Sequence, residues 1–192
     1  GGNNRDGSLF VYTDFLPGSW PGRPFADGID GHTPPWLNYS NVPCEVIERE
    51  YPISIQQYSF LQDTGGIGKY RGGVSIVKDY LIESKDRVEV QWRQDRSEFS
   101  AWGLHGGGSG GKAKGFHITP DGNKRALKKE TFHVNPGDLL RAVVPGAGGW
   151  GNPRERDSEK VINDVTNELV SEESALEDYG VAIDKELRKK VQ

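Results

Sequence analysis

Apolar and polar residues alternate with a period of two along several short runs of this chain, and the period lengthens to that of a helix only near its end. Residues 9–15, 53–60 and 74–82 are rich enough in apolar and β-branched side chains to read as strands. In 86–92, Val88, Val90 and Trp92 alternate with Arg87, Glu89, Gln91 and Arg93, the pattern of a half-buried strand. Further short strands are expected at 116–119, 124–127, 131–134 and 139–144. Turn residues fall between them. Arg5-Asp6-Gly7-Ser8 is placed to close a hairpin onto the first strand, Pro120-Asp121-Gly122-Asn123 joins a later pair, and Asn135-Pro136-Gly137-Asp138 leads into the last strand. Residues 44–50 suit either a short strand or a helical turn.

Past residue 153 the pattern is helical. Asp157 or Ser158 can cap a helix whose Val161, Ile162, Val165 and Leu169 share one face. Ser171 can cap a second, with Glu172 and Glu173 in the first turn, where the helix dipole favours them. Gly180 suits the stop after it, and Asp184 begins a basic turn or short helix at the surface. The expected fold is mainly β with long Gly-rich loops and a small C-terminal helical tail, divided into residues 1–153 and 154–192.

Glycine changes this picture most. It accounts for 26 of 192 residues, nearly twice its usual share of roughly 7%, and is concentrated in three stretches, 63–73, 103–115 and 145–153. The first, Asp63-Thr64-Gly65-Gly66-Ile67-Gly68-Lys69-Tyr70-Arg71-Gly72-Gly73, forms a corner between two strands. A phosphate-binding P-loop needs Ser or Thr after its Lys and a helix next, and neither follows Lys69. A structural corner and an anion site built from backbone N–H groups both remain open. The second stretch has the composition of a flexible linker, but the flanking Trp102, Leu104 and Phe116 suit a packed loop. Residues 17–43 follow neither period, and a loop this long in a compact domain is functional or forms an interface.

Net charge is −4 with Lys and Arg scattered, so nothing points to nucleic acid as a partner. No apolar run reaches membrane-spanning length, and no signal peptide opens the chain. A single Cys44 excludes an internal disulfide framework or a cysteine metal cluster and suits a reducing cytoplasm. Met is absent even at position 1, so the chain is expected to be part of a longer one.

Candidate chemistry is thinly spread. Asp27, Asp30 and His32 fall within six residues and are compatible with a metal site, with acid–base work, or with Asp-Gly turns satisfying their own backbone. Asn38, Ser40, Asn41 and Glu45 form a polar run able to bind an amide or carboxylate, or simply to organise a loop. Arg71, held among glycines, can pair bidentately with a carboxylate or phosphate, or clamp a loop carbonyl or an acid such as Glu45. His105, His117 and His133 are dispersed, Cys44 has no activating base beside it, and no His-Glu-x-x-His occurs. No Gly-x-Ser-x-Gly elbow is present, since Gly107-Gly108-Ser109-Gly110-Gly111 lies inside a glycine stretch and not between a strand and a helix.

Several segments taken together are more specific. They include Asp27-Gly28-x-Asp30-Gly31, Asn41-x-Pro43-x-Glu45-x-x-Glu48, the 63–73 corner, Trp102-Gly103-Leu104-x-Gly106-Gly107 and Pro136-Gly137-Asp138. Gly148-Gly149-Trp150-Gly151-Asn152-Pro153-x-Glu155-Arg156-Asp157 and Tyr179-Gly180-Val181 complete the series. In this order they resemble the C-terminal region of the hydantoinase B/oxoprolinase family, over nearly the whole chain. The resemblance implies a fragment of a larger α+β subunit that works with a hydantoinase A-type partner binding ATP and Mg. Relatives open cyclic amides, as N-methylhydantoinase and 5-oxoprolinase do, or carboxylate ketones, as acetone and acetophenone carboxylases do. It also implies a divalent metal in the N-terminal part of the subunit and none in this stretch, which alone is expected to be inactive. His32 stands where many relatives are expected to carry a small or apolar residue. With Trp20, Phe25, Trp36 and Tyr39 it lies in a loop able to line a substrate pocket or merely to pack. A pure assembly role is the third expectation.

Overall fold

The computed structural model describes residues 1–33, 37 and 39–183. Trp36, Asn38 and the basic segment from Asp184 onward lie outside the described residues. Strands β1 (Gly2–Asn3) and β2 (Leu9–Phe10) pair antiparallel through a turn in which Asn4 N–H meets Ser8 O at 2.6 Å and Gly7 takes φ +89°. The strand expected over 9–15 therefore ends at Phe10. Beyond it the side chains still alternate, Tyr12, Asp14 and Leu16 turning inward and Val11, Thr13 and Phe15 outward, but no described strand lies alongside to complete a ladder.

Residues 44–50 form helix α1 (Cys44–Glu50), which buries Ile47. Seven further strands follow: β3 (Ile53–Leu61), β4 (Ser75–Ile82), β5 (Val88–Trp92), β6 (Lys114–Ile118), β7 (Lys124–Ala126), β8 (Glu130–Val134) and β9 (Leu139–Val143). Five form an antiparallel sheet in the order β3-β4-β9-β6-β7, while β5 and β8 make a separate pair. The register sets Ile53 opposite Ile82 and Tyr80 opposite Leu140. These cross-strand pairs join Phe10, Ile47, Val88 and Val134 in the main core. The alternation read in β5 is kept, with Val88 buried and Glu89 and Gln91 exposed. β4 is buried along nearly its whole length, whereas β3, at the sheet edge, exposes residues 56–61 on both faces, Tyr58, Phe60 and Leu61 among them.

The glycine stretches pack on one another. Gly66 N–H bonds Ala147 O, Gly108 N–H bonds Ile67 O, Gly149 N–H bonds Gly108 O and Gly111 N–H bonds Thr64 O, all at 2.7–2.9 Å. Backbones approach so closely that a Cβ on Gly146 would sit 1.8 Å from Thr64 O, and one on Gly72 2.0 Å from Ala147 O. Glycine is needed at these two places for absence of bulk, not for positive φ. The second stretch is thus part of a packed block.

The tail adds helices α2 (Ser158–Thr166) and α3 (Glu172–Glu177). Asp157 caps α2 by accepting from Glu159 N, and Ser171 caps α3 by accepting from Ser174 N. Val161, Ile162 and Val165 are buried as expected, but α2 ends at Thr166, so Leu169 lies in the turn before α3, half-buried. Gly180 takes φ +77°. Val161, Val165, Val170, Ala175 and Tyr179 form a second small core against Ile67 of the glycine corner.

Candidate functional site

Two polar clusters are built on this frame. In the first, the loop carrying Asp27 and Asp30 crosses the glycine corner, with Gly28 N–H on Arg71 O at 2.6 Å and Gly73 N–H on Trp20 O at 2.9 Å. Arg71, 4% exposed, forks onto Asp30 with Nη1–Oδ1 3.0 Å and Nη2–Oδ2 3.1 Å, and also donates to Gly72 O at 2.7 Å. Its partner is therefore Asp30 and a loop carbonyl, while Glu45 is exposed in the first turn of α1. Asp27 Oδ1 accepts from Arg71 N–H at 2.8 Å and from Arg156 Nη1 at 2.5 Å. Arg156 Nη2 also reaches Asp164 Oδ2 at 2.7 Å, and Arg71 Nε lies 3.5 Å from Asp164 Oδ1. Burial disfavours the Asp27 carboxylate, but hydrogen bonding and charge from Arg156 outweigh it and hold its pKa below the ordinary range. The Arg71 pKa is raised against the opposing effect of burial, chiefly through Asp30.

This cluster is an ionic node closed at its carboxylates, with the buried Nε atoms of Arg71 and Arg156 left without a hydrogen-bond partner. Its carboxylate oxygens are committed to guanidinium groups and backbone N–H groups, so they do not suit a divalent metal. Among the described residues no group of three His, Cys, Asp or Glu is placed to hold one. Most of the corner's N–H groups are likewise committed. The N–H groups of Gly66, Lys69, Tyr70, Gly72 and Gly73 all bond backbone carbonyls, and that of Arg71 bonds Asp27.

The second cluster lies beneath the loop on the face of β4. Ile76, Lys78 and Tyr80 point to one side by strand alternation. Lys78, 1% exposed, donates to Asp14 Oδ2 at 2.7 Å, and the same oxygen accepts from Tyr80 Oη at 2.7 Å and Tyr12 Oη at 2.8 Å. The ammonium stands 4.9 Å from the Tyr58 ring centre and 5.2 Å from that of Tyr80. Burial opposes ionisation of Asp14, yet hydrogen bonds from Lys78 and Tyr80 lower its pKa below the usual carboxylate value. Burial, then the Asp14 charge, pushes the Tyr12, Tyr58 and Tyr80 phenols upward. Asn41 Nδ2 donates to Tyr58 Oη. Beside this lies a cavity of about 140 Å³ bordered by His32, Thr33, Tyr39, Asn41, Tyr58 and Ile76. His32 Nδ1 lies 2.6 Å from Thr33 O, and its ring meets Trp20 edge-on at 5.6 Å.

The six residues singled out in the sequence thus separate. Asp27, Asp30 and Arg71 meet in the node, His32 and Asn41 border the cavity, and Glu45 joins neither. Of the dispersed histidines, His117 Nε2 meets the buried Asp138 at 2.8 Å, His105 packs on Trp150, and His133 pairs across from Glu89. Sequence reading missed Asp14, Tyr58, Lys78 and Tyr80, although Lys78-Asp79 inside an apolar run was a signal. It also missed Asp164, which stands on the apolar face of α2, and Arg156 as a node member.

Comparison with known proteins places this geometry. The hydantoinase B/oxoprolinase family model matches residues 1–153. An uncharacterized protein of Methanocaldococcus jannaschii is 43% identical over 145 residues, 74% of this chain and 25% of the relative. A Pseudomonas sp. protein provisionally named as the B-type subunit of a D-/L-hydantoinase is 32% identical over 183 residues, 92% of this chain and 30% of the relative. Among solved structures, nucleotide-free acetone carboxylase superposes with TM-score 0.80 at 21% identity, over 96% of this chain and 29% of that one. The ATP-dependent caprolactamase of Pseudomonas jessenii superposes with TM-score 0.71 at 26% identity, over 89% and 31%. The chain spans less than a third of the length of each of these relatives. The mainly β fold with its short helical tail is shared with larger subunits, and the chain belongs to the hydantoinase B/oxoprolinase family.

Proposed function

We propose that the protein is part of a hydantoinase B-type subunit in an ATP-dependent, multi-subunit enzyme that hydrolyses a cyclic amide. The observation that carries this reading is the 32% identity over 92% of the chain with the Pseudomonas hydantoinase relative. The 26% identity with an ATP-dependent caprolactamase supports it. The likeness to acetone carboxylase, at 21%, supports the fold alone, so ketone carboxylation is the second choice. In this reading a hydantoinase A-type partner binds ATP and Mg, the remainder of the same subunit supplies any divalent metal, and the present stretch alone is inactive. The small-molecule substrate reaches the enzyme in the cytoplasm; among the described residues no helix is long and apolar enough to cross a membrane. The exposed edge strand β3, with Phe60 and Leu61 at its end, supports burial against the rest of the assembly.

ATP consumption by the assembled enzyme tests the reading. Stimulation by hydantoin, 5-oxoproline or a lactam is expected. Stimulation only by ketone with bicarbonate would replace it with a carboxylase.

A further inference from the structure

In the ionic node the buried Nε atoms of Arg71 and Arg156 lack a hydrogen-bond partner, whereas beside β4 the spare hydrogen-bonding capacity belongs to side chains that border a cavity. Tyr58 Oη accepts from Asn41 Nδ2, and among the described residues its own proton meets no acceptor. The raised pKa of that phenol keeps the proton in place at neutral pH. Nδ1 of His32 lies 2.6 Å from the Thr33 carbonyl, which accepts from the tautomer protonated at Nδ1, and in that tautomer Nε2 is an acceptor. Asn41, having turned its amide nitrogen to Tyr58, keeps its side-chain oxygen as a second acceptor. Ile76 adds an apolar wall. The Tyr58 ring is backed by the buried Lys78 ammonium at 4.9 Å, which holds the phenol on the sheet face.

The Tyr58 donor and the His32 and Asn41 acceptors, beside the Thr33 and Tyr39 hydroxyls that also border the cavity of about 140 Å³, match a group that both accepts and donates within a few ångströms. We propose that this cavity is a binding site for a secondary amide, its carbonyl oxygen taking the Tyr58 proton and its N–H donating to His32 Nε2 or Asn41 Oδ1. A ketone supplies only the acceptor and leaves the His32 and Asn41 acceptors unpaired. The cavity is smaller than the ~300 Å³ at which drug-sized pockets begin, so it takes a small ring or the end of a larger molecule. The choice of a cyclic amide as natural ligand rests on the functional reading above; the donor–acceptor pattern does not.

The test is calorimetric titration of the assembled enzyme, without ATP, using hydantoin, 5-oxoproline and ε-caprolactam, each beside a ring-matched ketone. Tyr58→Phe removes the donor and keeps the ring over Lys78, and His32→Leu removes an acceptor. The expected result is that at least one amide binds more tightly than its ketone and that each variant weakens that amide roughly tenfold, while the ketone is weakened by Tyr58→Phe, whose proton its carbonyl also takes, and left unchanged by His32→Leu. Unchanged amide binding in Tyr58→Phe, or equal binding of amide and ketone, overturns the site. The two readings fail separately. If amides drive ATP turnover but Tyr58→Phe leaves their affinity intact, the site falls and the function stands. If amides bind in a Tyr58-dependent way yet never stimulate ATP turnover, the function falls and the site stands.

Discussion

The ionic node and the β4 cluster are each built from buried charge, yet they are finished differently. In the node, Asp27, Asp30 and Asp164 are met by Arg71 and Arg156, and the surrounding glycine N–H groups bond neighbouring carbonyls. In the β4 cluster, Asp14 Oδ2 takes three donors, but the layer above it, Tyr58, Asn41 and His32, opens on a cavity with a proton and lone pairs unmatched. A network closed on itself fixes a fold, whereas one left open toward space is available to a ligand. Arg71, the residue the sequence made most conspicuous, thus belongs to the structural cluster, and the inconspicuous Tyr58 to the other.

The largest expected effect tests the closed half. Arg71→Ala strands the Asp30 carboxylate with only the Val74 N–H left to it and takes the second guanidinium from Asp164, which keeps Arg156; breaking such a buried pair costs about 3–5 kcal/mol. Urea denaturation of the protein should show it, and Arg71→Lys should recover only part because a lysine cannot fork onto Asp30. A wild-type midpoint in Arg71→Ala would mean the node is not a clamp.

Next in size is Gly146→Ala. Its Cβ would meet Thr64 O at 1.8 Å, and the overpacking should cost about 3 kcal/mol. The same change at Gly122, whose φ is +85° but where a Cβ would meet nothing within 4 Å, should cost only about 1 kcal/mol. Equal losses at both sites would show that conformation, not close approach, governs the glycine block.

Acid links the two clusters. Asp14 and Asp27 have folded-state pKa values below the unfolded one, so each contributes stability that is complete above roughly pH 4. That stability is lost as pH falls through the lowered value. Thermal midpoints followed downward from neutral pH should hold steady and then drop, and Asp14→Asn should flatten part of the drop. A loss beginning near neutral pH contradicts this assignment.

Much of the fold was legible in the sequence because it is written locally. β5, the Asp121-Gly122 and Gly137 turns, and both tail caps follow from period and turn chemistry. What failed was what depends on a partner. Residues 11–15 have the alternation of a strand, but a strand exists only where a ladder forms beside it, and here Asp14 turns to Lys78 and Tyr12 to Asp14 instead. The candidate site was half legible for the same reason. Proximity in sequence joined His32 to Asp30 and Asp27, but the fold sends Asp30 to Arg71 and leaves His32 beside Tyr58, 26 positions away in number yet bordering one cavity.

The smallest effect is expected at Glu45, exposed at the start of α1 and outside both clusters. Glu45→Gln should change stability by no more than about 0.5 kcal/mol and leave amide affinity alone. A several-fold weaker amide affinity there would extend the binding surface to α1.

The division between a closed clamp and an open site is tested most directly by measuring melting temperature and the KM for a cyclic amide together in the assembled enzyme, for Arg71→Ala and Tyr58→Phe side by side. Arg71→Ala is predicted to lower the melting temperature by roughly 2–4 °C for each kcal/mol lost, with KM nearly unchanged in the fraction that stays folded. Tyr58→Phe is predicted to raise KM about tenfold at an unchanged melting temperature. The reverse pattern, a substrate defect from Arg71 and a folding defect from Tyr58, would contradict the account.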